Sequence, residues 1–223
     1  MGCERVSTPL VGYVGMTHLG LCSAVASASK GFVTRAVDRD AALVARLEAG
    51  QLPVVEPDLD DLLREQRARI RFSADATELR ACDLIYVAPD VPTDDSGQSD
   101  LSVLDELLQL TLANTRPDAV VVVLSQVPPG YTRARQRPVR LLYYQVETLI
   151  FGRAVERATR PERFIIGCPD PAKPPPAAMH AFLQSFGCPL LPMRFESAEL
   201  CKIAINCCLI LHQHFVAAAG DMF

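Results

Sequence analysis

The sequence predicts an α/β fold: a doubly wound, mainly parallel sheet with helices on both faces, followed by a C-terminal helix. Two observations carry that prediction. Short β-branched runs alternate with longer helical patterns, the mark of repeated βαβ units. One of the runs, Ala119–Leu124 (AVVVVL), is apolar at every position, as a strand buried between two helix layers must be. Length and composition agree. The chain has 223 residues, 49% hydrophobic and 22% charged, enough for one substantial core. That balance excludes a disordered tail, a collagen, a disulfide scaffold and a coiled coil.

The elements read in order as follows. Strands are expected at Pro9–Val14, Phe32–Val37, Asp83–Ala88, Ala119–Leu124, Val139–Tyr144 and Arg163–Gly167. Helical patterns fall at His18–Ser29, Asp40–Ala49, Leu59–Arg69 and Leu101–Ala113, and a last one runs from Glu196. Val91–Gln98 is a turn-rich loop, and the proline-rich Pro169–Pro176 is a stiff connector. Residues 1–195 thus make one doubly wound α/β domain, and 196–223 open a further helix.

Between the first strand and the first helix lies Gly15-Met16-Thr17-His18-Leu19-Gly20. This is the G-x-G-x-x-G turn of Rossmann-type nucleotide-binding domains, with Thr17 at the second glycine. The first glycine permits the tight turn and the third lets helix and strand approach closely. A pyrophosphate sits on the helix N-terminus beyond them. At the second position a side chain either displaces the phosphate or offers it a hydroxyl. Asp38 ends the second strand at the spacing where a carboxylate accepts from a ribose 2′-hydroxyl, which favours NAD over NADP. Arg39 directly after it tempers that preference. Gly15, Thr17, His18, Leu19, Gly20 and Asp38 are the candidate cofactor residues.

From Leu10 to Asn206 the chain resembles the UDP-glucose/GDP-mannose dehydrogenase family of nucleotide-sugar dehydrogenases. Its motifs recur in family order. Glu56-Pro57-Asp58-Leu59 is similar to E-P-G-L. Val91-Pro92-Thr93 with Asp100-Leu101-Ser102 is similar to the P-T…D-L-S loop, which adds Thr93 to the cofactor candidates. Ser125-Gln126-Val127-Pro128-Pro129-Gly130 resembles S-T-V-P-x-G, and Gln145-Val146-Glu147-Thr148-Leu149 takes the place of N-P-E-F-L. Pro161–Gly167 follows at the family spacing. Ser197-Ala198-Glu199-Leu200-Cys201-Lys202, with Asn206, is similar to S-A-E-L-x-K-x-x-x-N.

The resemblance implies an NAD-dependent oxidation of C6 of a UDP- or GDP-sugar to a carboxylate, through an aldehyde that a cysteine captures. It assigns Glu147 to the hydrolytic water, and Lys202 and Asn206 to the oxyanion at C6. Spacing is consistent with that pairing, because residues i and i+4 share one helix face. Gln126 stands where the family has a small hydroxyl residue, so it is a candidate catalytic or substrate-positioning group. The family's cysteine lies in a second domain beyond a central, dimer-forming helix. The chain reaches only that helix, so the cofactor half of a truncated enzyme and a homodimer through the C-terminal helix are expected. Two other readings stay open: a catalytically inactive, nucleotide-binding, dimerising remnant, and a β-hydroxyacid dehydrogenase, which also pairs Lys and Asn one turn apart.

Remaining features call for less. The net charge of −4 and the absence of tryptophan give no sign of nucleic-acid binding. The eight cysteines form no C-x-x-C and read as reduced, mostly buried small apolar residues. No metal is expected: His212 and His214 are two apart, and the Asp94–Asp100 loop lacks a distal bidentate glutamate. Arg133, Arg135, Arg137 and Arg140 read as a solvated basic stretch. The chain start has no signal-peptide core and no run long enough to span a membrane, so a cytoplasmic location is expected.

Overall fold

A computed structural model describes residues 8–94, 96–138 and 140–220, with side chains described except at 210 and 212–220. His212 and His214 lie outside the described side chains. Eight strands form one sheet: β1 (Val11–Val14), β2 (Thr34–Val37), β3 (Ile70–Ser73), β4 (Leu84–Val87), β5 (Val120–Val123), β6 (Leu141–Gln145), β7 (Phe164–Cys168) and β8 (Leu190–Arg194). Their spatial order is β3-β2-β1-β4-β5-β6-β7-β8, with every pair parallel except β6–β7. This is the predicted Rossmann-type fold. The order reverses at β1, and in open α/β sheets ligands bind outside the strand ends at such a switch point.

The helices are α1 (His18–Ser29), α2 (Ala41–Glu48), α3 (Leu59–Gln66), α4 (Ser102–Asn114), α5 (Tyr131–Arg135), α6 (Ala154–Thr159), α7 (Ala177–Gln184) and α8 (Phe195–Gly220). A 3-10 turn covers Ala76–Ala81. The central strands alternate strictly between two apolar layers. Tyr13, Tyr86 and Val122 face the layer of α1, α3, α6 and α7, whereas Val14, Val87 and Val123 face that of α4 and α8. Period-two alternation with both faces apolar explains why β1, β4 and β5 are buried throughout.

β3, α5, α6, α7 and β8 were not among the expected elements. β3 reads Ile-Arg-Phe-Ser and buries only Ile70 and Phe72 as an edge strand, so its run is too short to signal itself. The proline-rich connector gives way to α7 directly after Pro176, a residue that suits a helix start. The fifth expected strand begins at Leu141 instead, and Val139 lies outside the described residues. Arg133, Arg135 and Arg140 are cross-links, not a solvated stretch. Arg133 pairs with Glu196 at 2.6 Å and Arg135 with Asp105 at 2.7 Å. Arg140 donates to the carbonyls of Leu112, Thr115 and Arg116 at the end of α4.

Candidate functional site

At the phosphate turn both glycines are required. Gly15 has φ +92°, and a Cβ there would stand 2.9 Å from the Pro89 nitrogen. A Cβ on Gly20 would stand 1.8 Å from the Gly15 carbonyl oxygen, so α1 packs against the turn only because nothing is there. Asp38 Oδ2 accepts from Met16 N–H at 2.7 Å and its Oδ1 from Asp40 N–H at 2.9 Å. The carboxylate therefore ties the end of β2 to the turn.

Thr17 and Asp90 interlock at the N-terminus of α1. Asp90 N–H donates to Thr17 Oγ1 at 2.8 Å, and Asp90 Oδ2 accepts from His18 N–H at 3.1 Å. With its oxygen accepting from Asp90, the Thr17 hydroxyl keeps its proton to donate. The N–H groups of Leu19 and Gly20 have no partner among the described residues. Two open amide donors, a helix N-terminus and a glycine cradle suit a phosphate-bearing cofactor.

The His18 ring is engaged by Glu56 and Phe151. Nε2 lies 2.8 Å from Glu56 Oε1, and the ring stacks on Phe151 with centroids 4.3 Å apart. Glu56 also accepts from Gly152 N–H at 3.0 Å and Ala154 N–H at 3.3 Å. Burial alone raises its pKa, and these hydrogen bonds with those of His18 outweigh it, leaving the carboxyl below its usual range. One buried carboxylate thus joins α1 to the segment after Glu147. Asp58, where the family motif has glycine, adopts φ +66°, a left-handed conformation that aspartate tolerates. Thr93 stands apart: it is exposed, bridged to Ser99 with their hydroxyls 3.0 Å apart. No hydrogen bond joins it to the turn among the described residues.

Gln126, Glu147, Lys202 and Asn206 come from three segments and converge. Lys202 Nζ donates to Glu147 Oε2 at 3.0 Å, and Asn206 Nδ2 donates to Gln126 Oε1 at 2.6 Å. Glu147 Oε1 also accepts from Leu149 N–H. Side-chain exposure is only 10% for Lys202 and 14% for Glu147, so water screens the pair little. Burial pushes the Glu147 carboxyl above its usual range, the neighbouring Lys202 ammonium pulls it back, and Asp90 adds to the rise. Gln145, where the family has asparagine, is buried and accepts from Tyr86 O–H at 3.0 Å. Glu147 nonetheless reaches Lys202. A groove beside the pair is lined by Leu149, Arg157, Arg163, Lys202, Ile205 and Asn206.

The sequence reading assigned no role to Glu56, Asp90 or Glu199. Glu199 is fully buried and accepts from Gly130 and Thr132 N–H, pinning α8 to the start of α5. The signal for Glu56 and Glu199 was their place in the quoted motifs. Asp90 had none, because its contact spans 72 residues. Cys22 lies buried near Glu56, Asp90 and Glu147, and burial chiefly pushes its thiol up to about 12. Such a thiol is a poor nucleophile at neutral pH. Cys82 and Cys168 are also buried, but Cys207 and Cys208 are exposed on α8, unlike the buried role expected of most cysteines.

The sequence profile of the UDP-glucose/GDP-mannose dehydrogenase family, NAD binding domain, matches residues 10–184. The chain belongs to this family. The family's matched domain is its NAD-binding one, and the cofactor assignment follows. The chain is 32% identical over 169 residues to UDP-glucose 6-dehydrogenase of Pseudomonas aeruginosa, covering 69% of this chain and 37% of that protein. It is 29% identical over 224 residues to the Rhizobium meliloti UDP-glucose 6-dehydrogenase, covering 94% and 51%. A UDP-glucose dehydrogenase structure from Pyrobaculum islandicum superposes with TM-score 0.81 at 27% identity, over 92% of this chain and 51% of that one. The chain thus spans about half the length or less of these dehydrogenase relatives. Among the described residues no helix is long and apolar enough to cross a membrane.

Proposed function

We propose that this chain is the NAD-binding half of a nucleotide-sugar 6-dehydrogenase that oxidises the C6 alcohol of a UDP- or GDP-sugar to a carboxylate. The observation that supports it is the convergence of Glu147 on Lys202 and of Gln126 on Asn206 in the chain that carries the phosphate turn. Gly15, Leu19 and Gly20 hold the pyrophosphate on the N-terminus of α1, with the Thr17 hydroxyl as a further donor. Asp38 and Thr93 serve the adenosine side, and His18 positions the turn through Glu56. Bound NAD supplies the hydride acceptor for both oxidation steps.

Within that site Lys202 and Asn206 aim a cation and an amide at the C6 oxygen, and so stabilise charge that develops there. Gln126 fixes the direction of the Asn206 amide. Glu147, with its carboxyl raised by burial, accepts a proton from the water that adds to C6. Residues 1–195 form the cofactor domain, and the helix from 196 carries Lys202 and Asn206. Leu200, Leu209 and Leu211 are exposed on α8, which suits pairing of this helix with a second copy in a cytoplasmic homodimer.

The test is calorimetric titration of the chain with NAD⁺, repeated with Asp38→Ala, followed by NADH formation with UDP-glucose and GDP-mannose. Expected are NAD⁺ binding that the substitution removes, and NADH formation that Lys202→Met abolishes. NADH from a small β-hydroxyacid, with none from either sugar nucleotide, would establish the β-hydroxyacid reading instead. Binding without turnover of any of these would favour a nucleotide-binding role for this chain by itself.

A further inference from the structure

We propose that Asp90 sets the cofactor affinity of this chain by holding its carboxylate on the N-terminus of α1, the place the pyrophosphate takes. The inference rests on the cofactor reading above and concerns a residue that no motif assigns. Asp90 Oδ2 accepts from His18 N–H, the first amide of the helix. The α1 N-terminus has no acidic residue in its own first turn and no side-chain cap from Thr17, so the carboxylate comes from a loop 72 residues away. Asp90 is exposed, no lysine or arginine pairs with it among the described residues, and the helix end is the positive partner its carboxylate meets.

The backbone that carries Asp90 is locked. Its N–H is held by Thr17 Oγ1, and the Pro89 carbonyl accepts from Ser125 Oγ at 2.5 Å. With its backbone held at these two points, the carboxylate is released most readily by a turn of the side chain. Two costs then fall on a phosphate arriving at the open Leu19 and Gly20 amides. The carboxylate has to give up His18 N–H, and after turning it remains a like charge beside the phosphate. A site that is competent only when an internal ligand has moved binds more weakly in proportion to that competent fraction. Thr17 belongs to the same device. A glycine there would lack the oxygen that anchors Asp90, so the departure from the glycine motif and the carboxylate on the helix end are one arrangement.

Asp90→Asn keeps the shape and removes the charge, and Asp90→Ala removes the cap as well. Calorimetry of the full 223-residue chain with NAD⁺ is expected to show about two- to fivefold tighter binding in Asp90→Asn, the scale of one exposed charge at a helix terminus. Asp90→Ala is expected to bind at least as tightly. Without ligand, both variants are expected to melt at a lower temperature than the wild type, Asp90→Asn because the charge at the helix end is gone and Asp90→Ala because the cap is gone as well. The opposed signs distinguish competition from support. Equal or weaker NAD⁺ binding in both variants, alongside the lower melting temperature, would reduce Asp90 to a structural cap and overturn the proposal. Failure of wild type and variants alike to bind NAD⁺ at millimolar concentration would overturn the cofactor reading and this inference together.

Discussion

Removing the Glu56 carboxylate is expected to be among the most destabilising single changes outside the apolar core. Glu56 is 4% exposed and gathers three donors: His18 Nε2, Gly152 N–H and Ala154 N–H. Each buried donor left without a partner costs about 1–3 kcal/mol. Gly152 is exposed enough for water to recover part of its loss, so Glu56→Ala is expected to cost about 3–5 kcal/mol. For a chain of this size that lowers the melting temperature by about 6–20 °C. Glu56→Gln keeps one acceptor but turns an NH₂ toward a donor, and is expected to lose less.

The pH dependence carries a definite sign. Hydrogen bonds hold the folded Glu56 below the usual carboxylate range, so the native state binds its proton more weakly than the unfolded chain. Its stabilisation is therefore complete above the unfolded carboxylate pKa, about 4.3, and is lost as pH falls through the lower folded value. Urea titrations from about pH 7 to pH 3 should show the gap between wild type and Glu56→Gln constant near neutrality and narrowing below about pH 4. A cost below about 1 kcal/mol for Glu56→Ala, or a gap that does not change with acid, would refute the assignment of Glu56 as a charged hub.

Three further changes test other parts of the structure. Lys202→Met strands the buried Glu147 carboxylate and is expected to cost about 3 kcal/mol at neutral pH. Burial raises the folded Glu147 pKa, so this penalty appears as pH rises above the unfolded value and fades in acid; adding Glu147→Gln should restore most of the stability in the same urea assay. Gly20→Ala puts a methyl 1.8 Å from the Gly15 carbonyl oxygen and forces α1 off the turn, at a cost of about 3 kcal/mol, with NAD⁺ binding lost by calorimetry. Arg140→Ala frees the carbonyls of Leu112, Thr115 and Arg116 and should lower the urea midpoint by the equivalent of about 1–2 kcal/mol.

The sequence by itself determined the doubly wound α/β class, the glycine turn and the family motifs, because these are local signals. An all-apolar run such as AVVVVL, or glycines at fixed offsets after a strand, dictates backbone geometry within a few residues. It also named Gln126, Glu147, Lys202 and Asn206, although the helix spacing joined only the last two. Only the tertiary structure brought Gln126 to Asn206 and Glu147 to Lys202, across 80 and 55 residues. Sequence spacing likewise gave no means to see that His18 serves Glu56, that three arginines brace α4 and α8, or that Asp90 covers the helix end. Short-range patterns record the preferences of a backbone segment for one conformation. Which charged groups meet is decided by how the sheet stacks its segments, and by the cost of leaving any of them buried alone.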